Sequence, residues 1–259
     1  MDKGTITLIG GGPGDPELIT VAGYKALLAA DTVLADRLGP TALLEELSDE
    51  VKIIDVGKAP GCHVATQDEI NRLLVEEAKL GKHVVRLKGG DPFVLGRGGE
   101  EVAYAAAHGI TARVIPGITS AVSVPAAAGI PVTHRGLATG FTVVTGHQDL
   151  AQLPLRADHT LVILMGVAHL AATVGSLTGR GMPGNTPIAI IERGYSQTQR
   201  TTIGTLEEIV VRARKAAVTN PAVIVIGDVV RLAPDAAVQL AEYQPLTHTD
   251  TAVPALFVD

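Results

Sequence analysis

The sequence predicts an α/β protein built from two α/β domains. In the first half of the chain, short β-branched runs alternate with longer amphipathic runs, which is typical of strands and helices around a parallel sheet. The same alternation resumes after a break near residue 136, but there two strands follow each other without a helix between them. We therefore expect a parallel sheet in residues 1–135 and a mixed sheet in residues 136–259.

The elements of the first domain follow from runs bounded by Gly, Pro and polar residues. Strands are predicted over residues 5–9, 32–35, 52–56, 83–87 and 112–115. Helical spacing predicts helices over residues 18–30, 67–80 and 99–108. Thr66, followed by Glu69 three residues later, indicates a capping box at the start of the second helix.

A domain boundary is predicted where Pro131, Gly136 and Gly140 cluster among polar residues without apolar periodicity. Beyond it, strands are predicted over residues 141–145, 160–165, 187–191, 199–203 and 222–226, and helices over 167–177 and 206–217. Thr205 and Glu208 match a second capping box. From Pro234 onward we expect only a weak helix and a polar tail.

Composition excludes several classes of function. A hydrophobic content of 46% favours a folded protein, while the net charge of −6 and the 3% of aromatic residues disfavour nucleic-acid binding. The longest apolar stretch, residues 161–177, is shorter than the ~20 residues of a membrane span, so we expect no membrane association. A single cysteine, Cys62, and no leader-like start predict a cytoplasmic protein.

Glycine-rich loops follow several predicted strands, where open α/β sheets bind ligands. Residues 10–16, GGGPGDP, approach a dinucleotide fingerprint, but Asp15 stands at the last glycine position and Pro13 removes an amide. The loop is then either a tight turn alone or a different kind of ligand site. No Gly-Lys-Ser/Thr follows it, which excludes a nucleoside triphosphate loop.

Three further loops combine glycines with charged or small residues. Residues 86–101 contain many glycines beside charged residues, which indicates that the backbone closely approaches a ligand or another segment there. In residues 116–121, Thr119 and Ser120 either face a ligand or only cap a helix. Residues 56–63 carry Lys58, which is either functional or a solvated surface lysine.

Taken together, these loops resemble a known family. GGGPGDP, VLADRL, VGKAPGCH, RLKGGDPFVLGRGGEE, PGITSA and GIPVTHRG, in this order, are similar to the motifs of the tetrapyrrole methylases, from about residue 5 to about residue 230. The resemblance implies a two-domain α/β fold without the Rossmann fingerprint, with the active site in the cleft between the domains. It also implies S-adenosylmethionine as methyl donor, S-adenosylhomocysteine as product, a small-molecule tetrapyrrole substrate and a homodimer.

The resemblance assigns residues by position. The cofactor contacts it implies are Pro13, Gly89, Gly90, Asp91, Val94, Thr119, Ser120, Met165 and Gly194. Its acid–base pair falls on Asp36 and Lys58, and the substrate contacts expected are Arg37, His63, Arg97, His134 and Arg135. Two alternatives stay open: Met165 fills the core, and Asp36 forms only a structural ion pair with Arg37.

Basic residues in or beside the loops explain how an acidic protein could bind a substrate rich in carboxylates. Besides Lys58 and the expected substrate contacts, this set includes Arg86 and Lys88. Ala35, Cys62 and Leu95 stand where family members commonly have aromatic residues, which puts the fit of the substrate in question.

Alternatives to this function are a methylase for a later precorrin, a nucleotide-binding regulator and a dinucleotide-dependent dehydrogenase. A non-catalytic regulator is disfavoured by the presence of Asp36, Lys58 and Asp91. The dehydrogenase is disfavoured because the loop at residues 10–16 lacks the last glycine of the dinucleotide fingerprint. The histidines show no metal-ligand spacing, so we expect no metal.

Overall fold

The computed structural model describes residues 4–57, 65–147 and 150–240. The chain divides into two compact units, one formed by the residues up to Val124 together with Gly194–Gln199, the other by Pro125–Arg193 and the residues from Arg200 onward. The division therefore falls at Val124 rather than at residue 135. The polar segment after residue 131 belongs to the second unit, where the amide of Thr139 donates to the carbonyl of Asp158 at 2.9 Å.

The first unit contains the expected parallel sheet. Its strands are β1 (Thr5–Gly10), β2 (Thr32–Ala35), β3 (Lys52–Asp55), β4 (His83–Lys88) and β5 (Thr111–Ile115). They lie in the order β3-β2-β4-β1-β5, and every neighbouring pair is parallel. All five carboxyl ends therefore lie at one edge of the sheet, as the prediction of ligand-binding loops requires.

Helices cover both faces of this sheet. They are α1 (Val21–Leu28), α2 (Gln67–Lys79), α3 (Gly98–Ala107) and α4 (Ser120–Ala127). Helix α1 packs in an apolar cluster with Val85 of β4, whereas α2 and α3 pack in another cluster with Val84. Adjacent residues of a strand point to opposite faces, so the chain leaves β1 and β4 on opposite sides of the sheet. These neighbouring strands form the topological switch point of the fold.

The capping box at α2 is confirmed. The hydroxyl of Thr66 accepts a hydrogen bond from the amide of Glu69 at 3.2 Å, and the Glu69 carboxylate accepts from the Thr66 amide at 2.6 Å. Helix α1 starts later than expected, because Pro16–Leu18 forms a separate 3₁₀ turn before it. The start of helix α4 was considered in the capping interpretation of Thr119 and Ser120, but its extent was not predicted, since its sequence SAVSVPAA has no polar face and contains Pro125.

The second unit contains the expected mixed sheet. Its strands are β6 (Gly140–Thr145), β7 (His159–Leu164), β8 (Pro187–Glu192), β9 (Arg200–Thr205) and β10 (Ala222–Ile226), in the order β6-β7-β10-β8-β9. Only the β6–β7 pair is parallel among these described strands. Helices α5 (Leu170–Gly179), α6 (Ile209–Lys215) and α7 (Ala236–Gln239) complete the unit as described.

The second predicted capping box is wrong. Thr205 is the last residue of β9, where it pairs with Pro187, and α6 begins only at Ile209. Within residues 150–240, the Thr205 hydroxyl is buried without a hydrogen-bond partner. The strand continues through the position that a cap would need, so the Thr-x-x-Glu spacing is fortuitous here.

No helix in the described ranges is long and apolar enough to cross a membrane. The tail beyond residue 240 lies outside the described residues.

Candidate functional site

The loops after β1 and β4 join at the switch point through backbone hydrogen bonds. The amide of Gly11 donates to the carbonyl of Lys88 at 2.7 Å. Gly12 and Gly90 exchange two hydrogen bonds, of 3.1 and 2.6 Å. The two glycine-rich loops are therefore one structure, continuous with the sheet below them.

The loop after β5 reaches the same point because glycines stand where the chains meet. A Cβ atom on Gly117 would lie 2.4 Å from the carbonyl oxygen of Gly90, and one on Gly10 would lie 2.4 Å from the nitrogen of Gly117. Such distances are too short for any side chain. The absence of side chains at Gly10 and Gly117 thus allows the three loops to converge on one place.

The first loop explains why its dinucleotide fingerprint fails. Asp15 accepts a hydrogen bond from the amide of Glu17 at 2.9 Å and caps the 3₁₀ turn Pro16–Leu18. The position of the last fingerprint glycine therefore opens a short turn instead of a long helix. Pro13 lies half-buried just before this turn.

Asp91 ties the loop after β4 to the loop after β5. One carboxylate oxygen accepts from the amide of Phe93 at 2.8 Å, and the other accepts from the amide of Gly117 at 3.0 Å. A carboxylate has about four lone-pair sites, so half-buried Asp91 retains acceptor capacity for a ligand. Val94, also half-buried, closes the turn by donating to the Asp91 carbonyl at 3.3 Å.

Thr119 and Ser120 lie at the start of α4. The Thr119 hydroxyl accepts a hydrogen bond from the amide of Ala121 at 3.3 Å, so Thr119 caps this helix. The loop containing Gly89 and Gly90 lies over this helix start, because a Cβ on Gly90 would be 3.7 Å from the Ser120 nitrogen. That distance is ordinary van der Waals contact, and the Gly90 backbone stays accessible there.

Asp36, which directly follows β2, has its carboxylate fixed on both oxygens. Oδ1 accepts from the amides of Leu38, Gly39 and Gly89 at 3.1–3.2 Å. Oδ2 lies 3.5 Å from Nη2 of Arg86. The side chain is 25% exposed, so it is held by the protein and still reaches the surface of the site.

The suggested ion pair between Asp36 and Arg37 is wrong. Arg37 instead binds Asp55 at the end of β3, with Nη2 3.1 Å from Oδ2. The amide of Gly57 and then this guanidinium hold the pKa of Asp55 below its usual value. Both side chains of the pair are about half exposed, so Arg37 remains accessible to a substrate.

Arg86 and Lys88 do not extend into the site as carboxylate clamps. They are 4% and 5% exposed, and both bind Oε1 of Glu101, at 3.4 and 2.8 Å. Burial and then the charge of Arg86 lower the pKa of Lys88. Glu101 was not predicted as part of this region, although its place in GRGGEE, one turn into α3, puts it on the face toward the sheet.

Arg97 is the N-cap residue of α3 and has a left-handed backbone conformation, with φ of 58°. Its guanidinium binds the exposed carboxylate of Glu100, with Nη2 2.7 Å from Oε2. That hydrogen bond lowers the pKa of Glu100. Arg97 is 56% exposed and is therefore available to an anionic ligand.

The remaining basic residues are in two places. His134 and Arg135 are exposed in the second unit, in a turn closed by the bridge between His134 and Ala138. Lys58 and His63 lie outside the described residues.

Met165 is not part of the core. It follows β7 with φ of 56°, and 44% of it is exposed. Gly194 is assigned to the first unit, where a Cβ would lie 2.8 Å from the side chain of Val124 in α4. A side chain at position 194 would push this segment away from the helix.

Apolar side chains are also exposed on the loops after β2, β4 and β5, which the sequence analysis did not single out. They are Leu38, Phe93, Leu95 and Ile118. Ala35, by contrast, is 4% exposed and packs in the core beside Val33 and Leu87, so the missing aromatic at this position removes nothing from the surface of the site. Cys62 lies outside the described residues.

Comparison with known proteins gives the family. The model of the tetrapyrrole (corrin/porphyrin) methylases matches residues 5–210, which includes every loop described above. The chain belongs to the tetrapyrrole methylase family.

Similar tetrapyrrole methylases are known from archaea and bacteria. A uroporphyrinogen-III C-methyltransferase of Methanocaldococcus jannaschii is 51% identical over 239 residues, covering 88% of this chain and 98% of that protein. A solved uroporphyrin-III C-methyl transferase of Thermus thermophilus, in complex with S-adenyl homocysteine, has 40% identity and a TM-score of 0.76, covering 88% of this chain and 100% of that one. Siroheme synthase 1 of Aeromonas hydrophila is 45% identical over 239 residues, and the match covers 90% of this chain and 51% of that protein.

The residues of this tetrapyrrole methylase fit the methyl donor of its family, S-adenosylmethionine. Asp91 has acceptor capacity left for hydroxyl or amino groups. Gly90 is half-buried beside the start of α4 and carries no side chain that a ligand would have to displace. Among the described residues, no group of three or more acidic, His or Cys side chains is close enough to hold a metal ion.

Proposed function

We propose that this tetrapyrrole methylase is an S-adenosylmethionine-dependent uroporphyrinogen-III C-methyltransferase. It would methylate the pyrrole carbons C2 and C7 of uroporphyrinogen III and give precorrin-2 by way of precorrin-1. The observation that carries the proposal is the 51% identity over nearly the whole length of the Methanocaldococcus enzyme. We infer that the protein works as a cytoplasmic homodimer.

The cofactor is proposed to lie on the joined loops of the first unit. Gly89, Gly90 and Asp91 would bind it with backbone groups and the free lone pairs of the carboxylate. Thr119 and Ser120 add amides at the start of α4, where partial positive charge favours a carboxylate group. The other proposed contacts are Pro13, Val94, Met165 and Gly194.

The chemistry needs an acceptor for one proton. When bound, S-adenosylmethionine supplies an electrophilic methyl group on a sulfonium sulfur. Transfer of the methyl group to a pyrrole carbon leaves the ring with a positive charge. A neighbouring carbon must then lose a proton. Asp36 is the carboxylate proposed to accept that proton, and Lys58 is proposed to donate a proton or bind a substrate carboxylate.

The substrate is proposed to be bound by charge and by apolar contact. Uroporphyrinogen carries eight carboxylates, and Arg37 and Arg97 present accessible guanidinium groups on the loops after β2 and β4. His63, His134 and Arg135 are the further substrate contacts proposed. Leu38 and Phe93, both 60% exposed, offer apolar surface for the pyrrole rings.

The product is proposed to feed sirohaem synthesis, with cobalamin as a second use. The similarity to half of a siroheme synthase supports the first route. The dehydrogenation and iron insertion that would convert precorrin-2 into sirohaem are reactions of another class, which this proposal leaves to other catalysts.

The test is methyl transfer with uroporphyrinogen generated in the assay under anaerobic conditions. Radiolabelled S-adenosylmethionine should place two methyl groups on each tetrapyrrole, and oxidation of the product should give its coloured form. Calorimetry should show binding of S-adenosylhomocysteine and none of NAD. Transfer to a precorrin but not to uroporphyrinogen would instead favour a later methylase, and NAD binding without a response to S-adenosylhomocysteine would overturn the proposal.

A further inference from the structure

A cluster of ionised side chains lies buried below the carboxyl ends of β2 and β4. Arg86 and Lys88 both bind Glu101, which is 1% exposed. Taking charges out of water has a large desolvation cost for each ion, even when the ions are paired. Apolar side chains would fill the same space without this desolvation cost. Stability alone therefore does not explain why the cluster is charged.

The charges of this cluster balance only if Asp36 is counted. Arg86 and Lys88 carry two positive charges, and Glu101 carries one negative charge. Asp36, with Oδ2 3.5 Å from Nη2 of Arg86, supplies the second negative charge. Arg86 therefore places a buried cation beside one oxygen of Asp36.

The guanidinium of Arg86 cannot turn away from Asp36. Its Nη1 donates to the carbonyls of Leu87 and Leu34 at 2.8 and 3.3 Å, so it bridges β4 and β2. Its Nε faces Glu101 at 3.4 Å, which leaves Nη2 for Asp36. Backbone amides hold the other oxygen of Asp36, and the carboxylate therefore has a single orientation.

We propose that Arg86 is a positioning residue for methyl transfer, which fixes the orientation of the Asp36 carboxylate. Glu101 holds Arg86 in place and carries the countercharge of Lys88. The inference rests on the proposed function, in which Asp36 accepts a proton from the methylated ring.

A double-mutant cycle tests the coupling. The rate of methyl transfer is measured for the wild type, Arg86→Gln, Asp36→Asn and the double variant, each in the full chain, with saturating porphyrinogen and with S-adenosylmethionine varied up to saturation. Arg86→Gln should lower kcat about 10- to 100-fold while KM for S-adenosylmethionine changes by less than about 3-fold. In the Asp36→Asn background the same change should have no further effect, because the carboxylate through which Arg86 acts is gone.

Two variants keep the test decisive. Arg86→Lys retains the buried cation if Arg86→Gln does not fold, and its loss of kcat should be smaller but should vanish equally in the Asp36→Asn background. Arg72→Gln removes an exposed arginine that pairs with Glu76 on α2, and it should leave kcat unchanged. Circular dichroism confirms that each variant is folded.

The outcomes separate the inference from the proposed function. If the effects of Arg86 and Asp36 multiply, or if Arg86→Lys and Arg86→Gln both keep the wild-type kcat, the positioning role is wrong while the activity stands. A normal rate for Asp36→Asn would remove both Asp36 as proton acceptor and Arg86 as its positioning residue. A wild-type protein that transfers no methyl group would overturn the proposed function itself.

Discussion

The carboxylate of Asp91 joins two loops of the site, because its Oδ2 accepts a hydrogen bond from the amide of Gly117 at 3.0 Å. Its Oδ1 holds the turn of its own loop through the amide of Phe93. Asp91 therefore organises the site before any ligand arrives. This makes it a residue for stability as well as for the proposed cofactor binding.

Asp91→Ala should consequently reduce both properties. Losing two hydrogen bonds to a partly buried carboxylate should cost about 1 to 3 kcal/mol in the free energy of unfolding. Binding of S-adenosylhomocysteine should weaken by about 1 to 3 kcal/mol as well, as measured by calorimetry. Asp49→Ala, in an exposed turn, is the matched control and should change neither. A variant with normal melting and normal binding would contradict this role of Asp91.

Gly117→Ala should distort the point where the three loops meet. Its new Cβ would lie 2.4 Å from the Gly90 carbonyl oxygen, so one of the loops must move. We expect a loss of about 1 to 3 kcal/mol in stability, as for overpacked sites, together with weaker cofactor binding. The measurements are thermal melting and calorimetry.

Gly175→Ala provides the control for this glycine. Gly175 is exposed within α5, and no described atom lies within 4 Å of the Cβ that alanine would add. Alanine there should stabilise the helix by about 0.5 to 1 kcal/mol. Equal destabilisation by both substitutions would show that the loop contact is not the cause.

The sequence located most of the fold because its strands are short apolar runs with clear ends. Residues 32–35 and 222–226 were predicted with the bounds that the structure shows. The extent of helix α4 was not predicted, because a helix of small residues without a polar face gives no periodic signal. The capping box at Thr205 was wrongly predicted, because Thr205 and Glu208 have the spacing of a capping box although Thr205 lies in strand β9.

The site was predicted less completely than the fold. The glycine-rich loops could be placed, because each follows a strand. The pairing of Asp36 with Arg86 could not be predicted, because it depends on β2 lying next to β4. Local sequence patterns do not indicate the order of strands in a sheet. Arg86 and Lys88 were expected at the surface, since charged residues are rarely buried unless a partner such as Glu101 is present.

Stability should fall with acid through Glu77, on α2 at the far end of the sheet. Burial acts to raise its pKa, but hydrogen bonds from Lys52, Lys82 and Thr32 outweigh it and hold the pKa at about 2. Because the folded-state pKa lies below the ordinary value of 4.5, the contribution is complete above about pH 5 and is lost as the pH falls toward 2. The contribution at neutral pH should be on the order of 1 to 3 kcal/mol.

Urea unfolding between pH 2.5 and pH 7 measures this contribution. In Glu77→Gln the decline of stability with acid should be shallower than in the wild type, since the group no longer titrates. Glu76→Gln, an exposed neighbour on the same helix, is the control and should retain the wild-type slope. Parallel curves for all three proteins would contradict the assignment.

The last prediction separates the proposed base from the proposed substrate clamp. Asp36→Asn keeps an oxygen for the backbone amides but cannot accept a proton, so the single-turnover rate should fall by a factor on the order of 10² to 10⁴. Binding of S-adenosylhomocysteine should change little, because asparagine keeps an oxygen that can accept the hydrogen bond from the amide of Gly89 in the proposed cofactor loop. Arg37→Gln should mainly raise KM for the porphyrinogen, since Arg37 is half exposed and binds only Asp55 among its described partners. An exposed ion pair contributes about 0 to 1 kcal/mol, so the two variants must be compared by kinetics rather than by melting. A near-normal single-turnover rate for Asp36→Asn would remove this carboxylate from the proton transfer and leave Lys58 or a bound water as the remaining candidates to be tested.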